Sequence, residues 1–464
     1  MTKDMSWTSA GEIANAVATR SATAIDVVDG ALGRIEARNP QLNAFTDVLG
    51  ELARARARQV DAAIARGKSP GPLAGVPFAV KNLFDVAGLP TRAGSKINRD
   101  LPPATRSAVL IERLEAAGAI LVGALNMGEY AYDFTGENIH DGDAHNPHDL
   151  KRMTGGSSSG SGGAVAGGLV PFALASDTNG SIRVPASFCG VFGLKPTYGR
   201  LSRTATFPFV ASLDHLGPLA RSTRDLALSY DAMQGPDPLD HACAQRAVEP
   251  ATHSLGRGLG NLRIAVGGGY FRKGLSDEAR AAVAIVAKGL GITREIDIPE
   301  AARARAAAFV ITTTEAASLH LDRLRTRPQD FDPFARDRLL AGAMLPAAFA
   351  VRAQKFRRWY REQVLALFET TDAIIVPATP CVAPRLGQTT FMLDGVETPL
   401  RANIGIYTQP ISFIGLPVVC VPVPLKPLPI GVQIITAPWR EDLGLAIAHA
   451  LEREGVVAAP RPAI

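Results

Sequence analysis

Lys81 and the serines around residue 157 are the side chains of this sequence best placed to activate a nucleophile against a carbonyl carbon. Lys81 closes the apolar run Val76-Pro77-Phe78-Ala79-Val80 and is followed by Asn82-Leu83-Phe84. A charged ammonium at the end of a buried strand is costly. Desolvation lowers a lysine pKa from about 10.4, and a shift of about 3 units, roughly 4 kcal/mol, leaves an amine able to accept a proton near neutral pH. A serine hydroxyl needs such a base before it attacks a carbonyl. The hydroxyls lie in Thr154-Gly155-Gly156-Ser157-Ser158-Ser159-Gly160-Ser161 and again in Asp177-Thr178-Asn179-Gly180-Ser181-Ile182-Arg183-Val184-Pro185. So many small residues permit close backbone approach and unusual dihedrals.

Other readings of these segments exist. A Gly/Ser linker would join polar segments, whereas this one runs into the apolar stretch from Val165 to Ala175. Neither G-x-G-x-x-G nor G-x-x-x-x-G-K-[ST] occurs in it, which argues against a phosphate cradle. Gly156 to Gly160 formally satisfies G-x-S-x-G, but that elbow needs a strand directly before it, and Asp149 to Thr154 is polar. His215, His241, His253, His320 and His449 are available for a triad, and none sits in a telling context. Lys81 itself has the plainer reading of a snorkelling or ion-paired side chain.

The elements that must hold these residues are legible as alternating helical and apolar patterns. Ser9-Ala10-Gly11-Glu12 is a capping box, and helical periodicity continues through 23–38, 50–66 and 107–117. Short apolar runs that read as strands fall at 76–80, 120–122, 170–175, 191–194, 262–266, 373–376, 418–423 and 430–435. Helices rich in Arg and Ala are expected at 276–290, 302–325 and 335–370. The strands have too few polar positions for a half-exposed sheet, so an α/β architecture with helices on both faces is expected. No repeat, low-complexity tail or convincing linker divides the chain.

Composition narrows the classes. The chain has 464 residues, 47% of them hydrophobic and 20% charged, and a net charge of +5 with no long basic run. That balance suits a large globular core and gives no nucleic-acid footprint. Cys189, Cys243, Cys381 and Cys420 are widely spaced, so neither a disulfide framework nor a zinc knuckle is indicated; neither metal nor cofactor is called for. Met1 to Thr8 carries Lys3 and Asp4 and lacks the apolar core of a signal peptide. The uncharged stretch from Ala402 to Leu425 is interrupted by Pro410, Pro417, Pro422 and Pro424, which does not suit a membrane span. A cytoplasmic protein is expected.

Lys81, Gly155-Gly156-Ser157-Ser158 and Asp177 to Pro185, with spacings of 76 and 24 residues between Lys81, Ser157 and Ser181, resemble the amidase signature family. Similar context runs through Asn138, Asn146-Pro147, Gly193 to Pro196 and Ser212 to Pro218, and more weakly Gly415-Leu416-Pro417 and Gly431-Val432-Gln433. The resemblance implies a single domain over 1–464 built on one large mixed β-sheet. Residues 70–220 would be its signature core and 225–370 a mainly helical substrate side. It implies Ser181 as nucleophile, Ser157 in a cis peptide as relay and Lys81 as base, with an oxyanion hole of backbone N–H groups from Thr178, Asn179, Gly180 and Ser181. Three positions depart from the family pattern: Asn179 and Ser159 stand where glycine is usual, and His145 where arginine is usual. Asparagine tolerates a left-handed backbone, so the hole is expected to survive.

Tyr230 to Asp240, Arg327 to Phe331, Tyr407 to Pro410 and Ala437 to Glu441 look like the branch that hydrolyses 1-carboxybiuret in cyanuric acid breakdown, whose members work with a very small accessory partner protein. The branch implies a homo- or hetero-oligomer acting on a small amide or ureide, with no direct contact to nucleic acid or membrane. An acidic substrate of that kind needs a cation at its carboxylate. Candidates are Arg325 and Arg327, with His320 and Tyr132 as hydrogen-bonding neighbours; Arg183 can either touch substrate or brace the loop. The alternatives are the glutaminase component of a tRNA-dependent amidotransferase and an oxamate- or biuret-type hydrolase.

Overall fold

A computed structural model describes residues 5–463; Lys3 and Asp4, on which the signal-peptide expectation drew, lie outside them. In chain order the strands are β1 (Phe45–Val48), β2 (Pro77–Lys81), β3 (Ile120–Leu125), β4 (His145–Asn146), β5 (Asp149–Met153), β6 (Phe172–Asp177), β7 (Phe192–Lys195), β8 (His215–Ala220), β9 (Ile264–Gly267), β10 (Glu295–Ile296), β11 (Ala373–Pro377), β12 (Thr390–Leu393), β13 (Val396–Pro399), β14 (Val418–Val423) and β15 (Ile430–Thr436). Eleven of them form one sheet in the order β1-β3-β2-β6-β8-β7-β14-β15-β11-β9-β10, while β4/β5 and β12/β13 are separate hairpins. The sheet is mixed: β2 runs parallel to both β3 and β6, and β6 antiparallel to β8.

Every residue of β2, β3, β6, β7, β8, β11, β14 and β15 is buried. Alternate side chains of a strand point to opposite faces, so uninterrupted burial means that both faces are covered. The apolar runs read from sequence become strands with boundaries shifted by a few residues at most.

Several elements differ from expectation, among them β5, a strand over Asp149–Met153 where the polar sequence argued against a strand before Gly156. β8, His215-Leu216-Gly217-Pro218-Leu219-Ala220, is a central strand; Gly and Pro break the apolar signal, and a proline that cannot donate is rare in that position. The helical span 335–370 is two helices, Pro333–Ala343 and Ala347–Leu367, separated at Pro346, because a residue preceding proline is pushed out of the α region. The two-residue edge strand β10, Glu295–Ile296, has no apolar run to announce it. No helix is long and apolar enough to cross a membrane among the described residues. All four cysteines are free.

The sheet sets up the site. β2 delivers Lys81 at its C-terminal end, and its neighbour β6 ends at Asp177 with Ser176 beside it. The helix Ser159–Ala166 packs against β6: Ser161 Oγ donates to Leu174 O (2.9 Å) and Ser158 Oγ to Ser176 O (3.2 Å). Ser158 and Ser161 thus tie the Gly-rich segment to carbonyls of β6. Helix Arg183–Cys189 starts just beyond Ser181 and packs on β14 and β15.

Candidate active site

Lys81 is fully buried, and its Nζ donates to Ser157 Oγ at 2.7 Å and to Ser176 Oγ at 2.9 Å. Burial lowers its pKa from 10.5 to about 7, against the opposing pull of Asp214, Asp177 and Asp133. Removal from water is therefore the dominant influence, and the amine sits near the point at which it can exchange a proton at neutral pH. The Gly156–Ser157 peptide bond is cis. Its loop is fastened to the segment before it: Gly155 N donates to Thr135 O and Gly156 N to Phe134 O. A Cβ on Gly156 would meet Asp133 Oδ2 at 2.4 Å, so only glycine fits there.

Ser181 stands at the turn between β6 and the helix Arg183–Cys189 and lines a narrow cavity with Tyr132, Thr178, Asn179, Thr312, Arg338 and Arg401. Among the described residues, the backbone N–H groups of Thr178, Asn179, Gly180 and Ser181 donate to no protein acceptor. Such donors at the entry to a helix can hold a developing oxyanion. Gly180 has φ +147°, and a Cβ there would lie 2.3 Å from Thr408 Oγ1, so the turn excludes any side chain at this point. Asn179, by contrast, is not left-handed. The tolerance expected of asparagine is not needed, since its backbone is one that other residues adopt.

Arg183 is wholly buried and directed away from the cavity. Its guanidinium forms a two-pronged pair with Asp177 (2.9 Å on each prong), donates to Thr408 O (3.1 Å) and Gln433 Oε1 (2.6 Å), and also reaches Ser412 Oγ. Asp177 is held well below the usual carboxylate range despite burial, because Arg183 lies against it. With these donors engaged, Arg183 braces the nucleophile turn and is not among the residues that line the cavity.

The proposed carboxylate cations fare differently. Arg325 is exposed on the surface and lies 3.7 Å from Asp322. Arg327 pairs with Asp100 and Asp330, both at 2.8 Å. Neither lines the cavity, because the end of helix Ala301–Thr326 turns them toward solvent and surface carboxylates. His320 is on the buried face of that helix, packed among Tyr130, Phe207 and Phe331. Burial and Arg323 lower its pKa to about 3, so it is a neutral ring in an aromatic cluster, outside the lining of the cavity. Tyr132 does line the cavity. It is carried there by Tyr130 and Ala131, both in the left-handed region at φ 49° and 60°, an uncommon conformation for such side chains.

Two arginines of the cavity escaped the sequence reading. Arg338, from helix Pro333–Ala343, lies over the Tyr132 ring at 5.2 Å and donates to Tyr132 O (3.2 Å). It makes no ion pair among the described residues, unlike Arg401, which is neutralised by Asp133 (3.1 Å) and Glu137 (2.5 Å). Nothing local distinguishes Arg338 among 39 arginines; only the fold brings it to Ser181. Ser159 begins its helix with a buried hydroxyl that has no partner, and His145 Nδ1 meets Leu150 O at 2.7 Å within the β4/β5 hairpin, outside the cavity.

Known proteins resemble this chain along most of its length. The family model Amidase matches residues 26–445. AtzE of Pseudomonas sp. (strain ADP), which forms part of a 1-carboxybiuret hydrolase, is 53% identical, with 96% of this chain and 98% of that protein aligned. The A-type component of the glutamyl-tRNA(Gln) amidotransferase of Anaeromyxobacter dehalogenans (strain 2CP-C) is 37% identical, with 96% of each covered. A solved s-triazine catabolic enzyme, described as belonging to an unexpected vestigial protein complex, superposes with a TM-score of 0.97 at 52% identity, covering 98% of this chain and all of that one. The corresponding amidotransferase component of Thermotoga maritima superposes with a TM-score of 0.84 at 28% identity, covering 100% and 99%.

Proposed function

The chain belongs to the amidase family, and from that premise we propose that it hydrolyses a small carboxylated ureide, 1-carboxybiuret foremost, through an acyl-enzyme on Ser181. The observation that carries the reading is the hydrogen bond from the buried, desolvated Lys81 amine to Ser157. Ser181 Oγ attacks the amide carbon as its proton passes to Ser157 Oγ, whose own proton moves to Lys81 Nζ. The tetrahedral oxygen is held by the N–H groups of residues 178–181. Collapse expels the amine, protonated by the return of the same proton through Ser157, and releases ammonia. Water then attacks the acyl-enzyme by the same route, restoring Ser181.

Arg338 is the cation of this cavity with no carboxylate of its own, which suits it to the substrate carboxylate. The 53% identity to a component of a 1-carboxybiuret hydrolase points to the same substrate, and the complex reported for the superposing s-triazine enzyme supports operation with a small accessory protein. Free thiols throughout fit a cytoplasmic setting.

The test is ammonia release from 1-carboxybiuret, biuret, allophanate, oxamate, malonamate and glutamine, with wild type beside Ser181→Ala. The carboxylated ureides are expected to be turned over and the variant to be inert. Turnover of glutamine alone would support the amidotransferase reading instead. Arg338→Gln is expected to raise KM for the carboxylated substrates about 10- to 100-fold, the worth of a charge-assisted hydrogen bond, while leaving KM for biuret nearly unchanged.

A further inference from the structure

Two residues that line the cavity with Ser181 each carry a buried polar atom without a partner among the described residues: Asn179 Oδ1 and Tyr132 Oη. The Asn179 side chain is fixed in place. Its Nδ2 donates to Thr312 Oγ1 at 2.9 Å, and its backbone carbonyl accepts from Thr408 Oγ1 at 2.6 Å. What remains, on a residue that lines the cavity, is an amide oxygen with nothing to accept. Buried acceptors are almost always satisfied, and leaving one unmade is costly, so an orphan beside a nucleophile marks a place where a ligand supplies the donor.

We propose that Asn179 Oδ1 accepts a hydrogen bond from a substrate N–H next to the scissile carbonyl, with Tyr132 Oη serving the same ligand, so that this side chain selects ureides over carbon-chain amides. The inference rests on the amidase reading of this cavity and narrows it. In a ureide the carbonyl carbon carries nitrogen on both sides, so after one nitrogen is marked to leave, the other still presents an N–H. In a carbon-chain amide that position is CH2, which cannot donate and would strand Asn179 Oδ1 against an apolar group. A site built to bond an N–H discriminates strongly against an analogue that lacks it. Thr312, on the helix Ala301–Thr326, is the positioning residue: its hydroxyl takes the amide nitrogen and so turns the oxygen inward.

Ureidoacetate and succinamate differ only by N–H against CH2, and their Ki values as competitive inhibitors of 1-carboxybiuret hydrolysis isolate that one atom. Wild type is expected to bind ureidoacetate about tenfold or more tightly than succinamate. Asn179→Gly should bring the ratio to within about twofold. Thr312→Val, which keeps the asparagine but removes its anchor, should lower the ratio in the same direction; this second variant keeps the test open where the first fails to fold. A ratio near one in wild type, no inhibition by either compound, or a ratio that survives Asn179→Gly would overturn the assignment. Failure of wild type to release ammonia from any amide would instead sink the parent reading.

Discussion

Lys81 and Lys195 offer the sharpest contrast in the molecule. Each is the last residue of a central strand, β2 and β7, each is fully buried, and in each burial brings the pKa down from 10.5 to about 7. By energy alone they are equivalent. Their acceptors are not. Lys81 meets two hydroxyls, Ser157 and Ser176, whereas Lys195 meets two carbonyls, Leu416 O and Pro196 O. A hydroxyl accepts a proton and passes another on; a carbonyl only accepts a hydrogen bond. Burial therefore leaves part of such an amine neutral near pH 7, and the partner decides whether it is used.

The largest effect that could break this contrast is at Lys81. Lys81→Ala should lower kcat by about 10⁴-fold, the upper range for a positioned base, with a thermal melt close to wild type; substantial turnover in a folded variant would remove the lysine from the chemistry. A pH profile sharpens the point. Because Lys81 acts as base only when neutral, kcat/KM should climb about tenfold per pH unit below about pH 7 and level off above it. A flat profile from pH 5 to 8 would mean that the amine does not titrate in the free enzyme.

Lys195→Met should be the smallest in activity and visible in stability. It leaves the Leu416 and Pro196 carbonyls without a donor, a loss of about 1–3 kcal/mol, while kcat per folded molecule stays near wild type. The sign with pH follows from the depressed pKa. Between about pH 7 and 10.5 the unfolded chain binds more protons at this lysine than the folded one does, so wild-type stability rises with pH across that window. The variant lacks that rise, and its deficit in urea melts should be widest near pH 10 and shrink toward pH 7. Loss of turnover in well-folded Lys195→Met would end the distinction between the two lysines.

Where the sequence was readable, a local pattern matched a physical need. Uninterrupted apolar runs became strands covered on both faces, and a lysine ending one of them became the desolvated amine. Ser9 with Glu12 forms the reciprocal cap that the spacing implies. What could not be read depended on tertiary placement. β8 hides behind Gly217 and Pro218. Arg325 and Arg327 offer the cation that an acidic substrate needs, yet surface carboxylates hold them. Arg338 serves the cavity from a helix more than 150 residues beyond Ser181, and no local spacing announces that. The roles of Arg183 and His320 also needed three dimensions, since the same residue types read equally well as ligand or filler.

Arg183 ties Asp177 and the nucleophile turn to Thr408, Ser412 and Gln433, near the opposite end of the chain. Cutting out residues 70–220 as a minimal hydrolase would therefore strand a dehydrated guanidinium, and such a fragment should not hold its catalytic turn. The same tie makes the protein suited to fragment complementation. The tip of the β12/β13 hairpin, Asp394-Gly395, is exposed and its two residues are left-handed, so a nick there would leave one half of the clamp on each piece. Neither piece alone would hydrolyse substrate, and recovered ammonia release would report that the two had met.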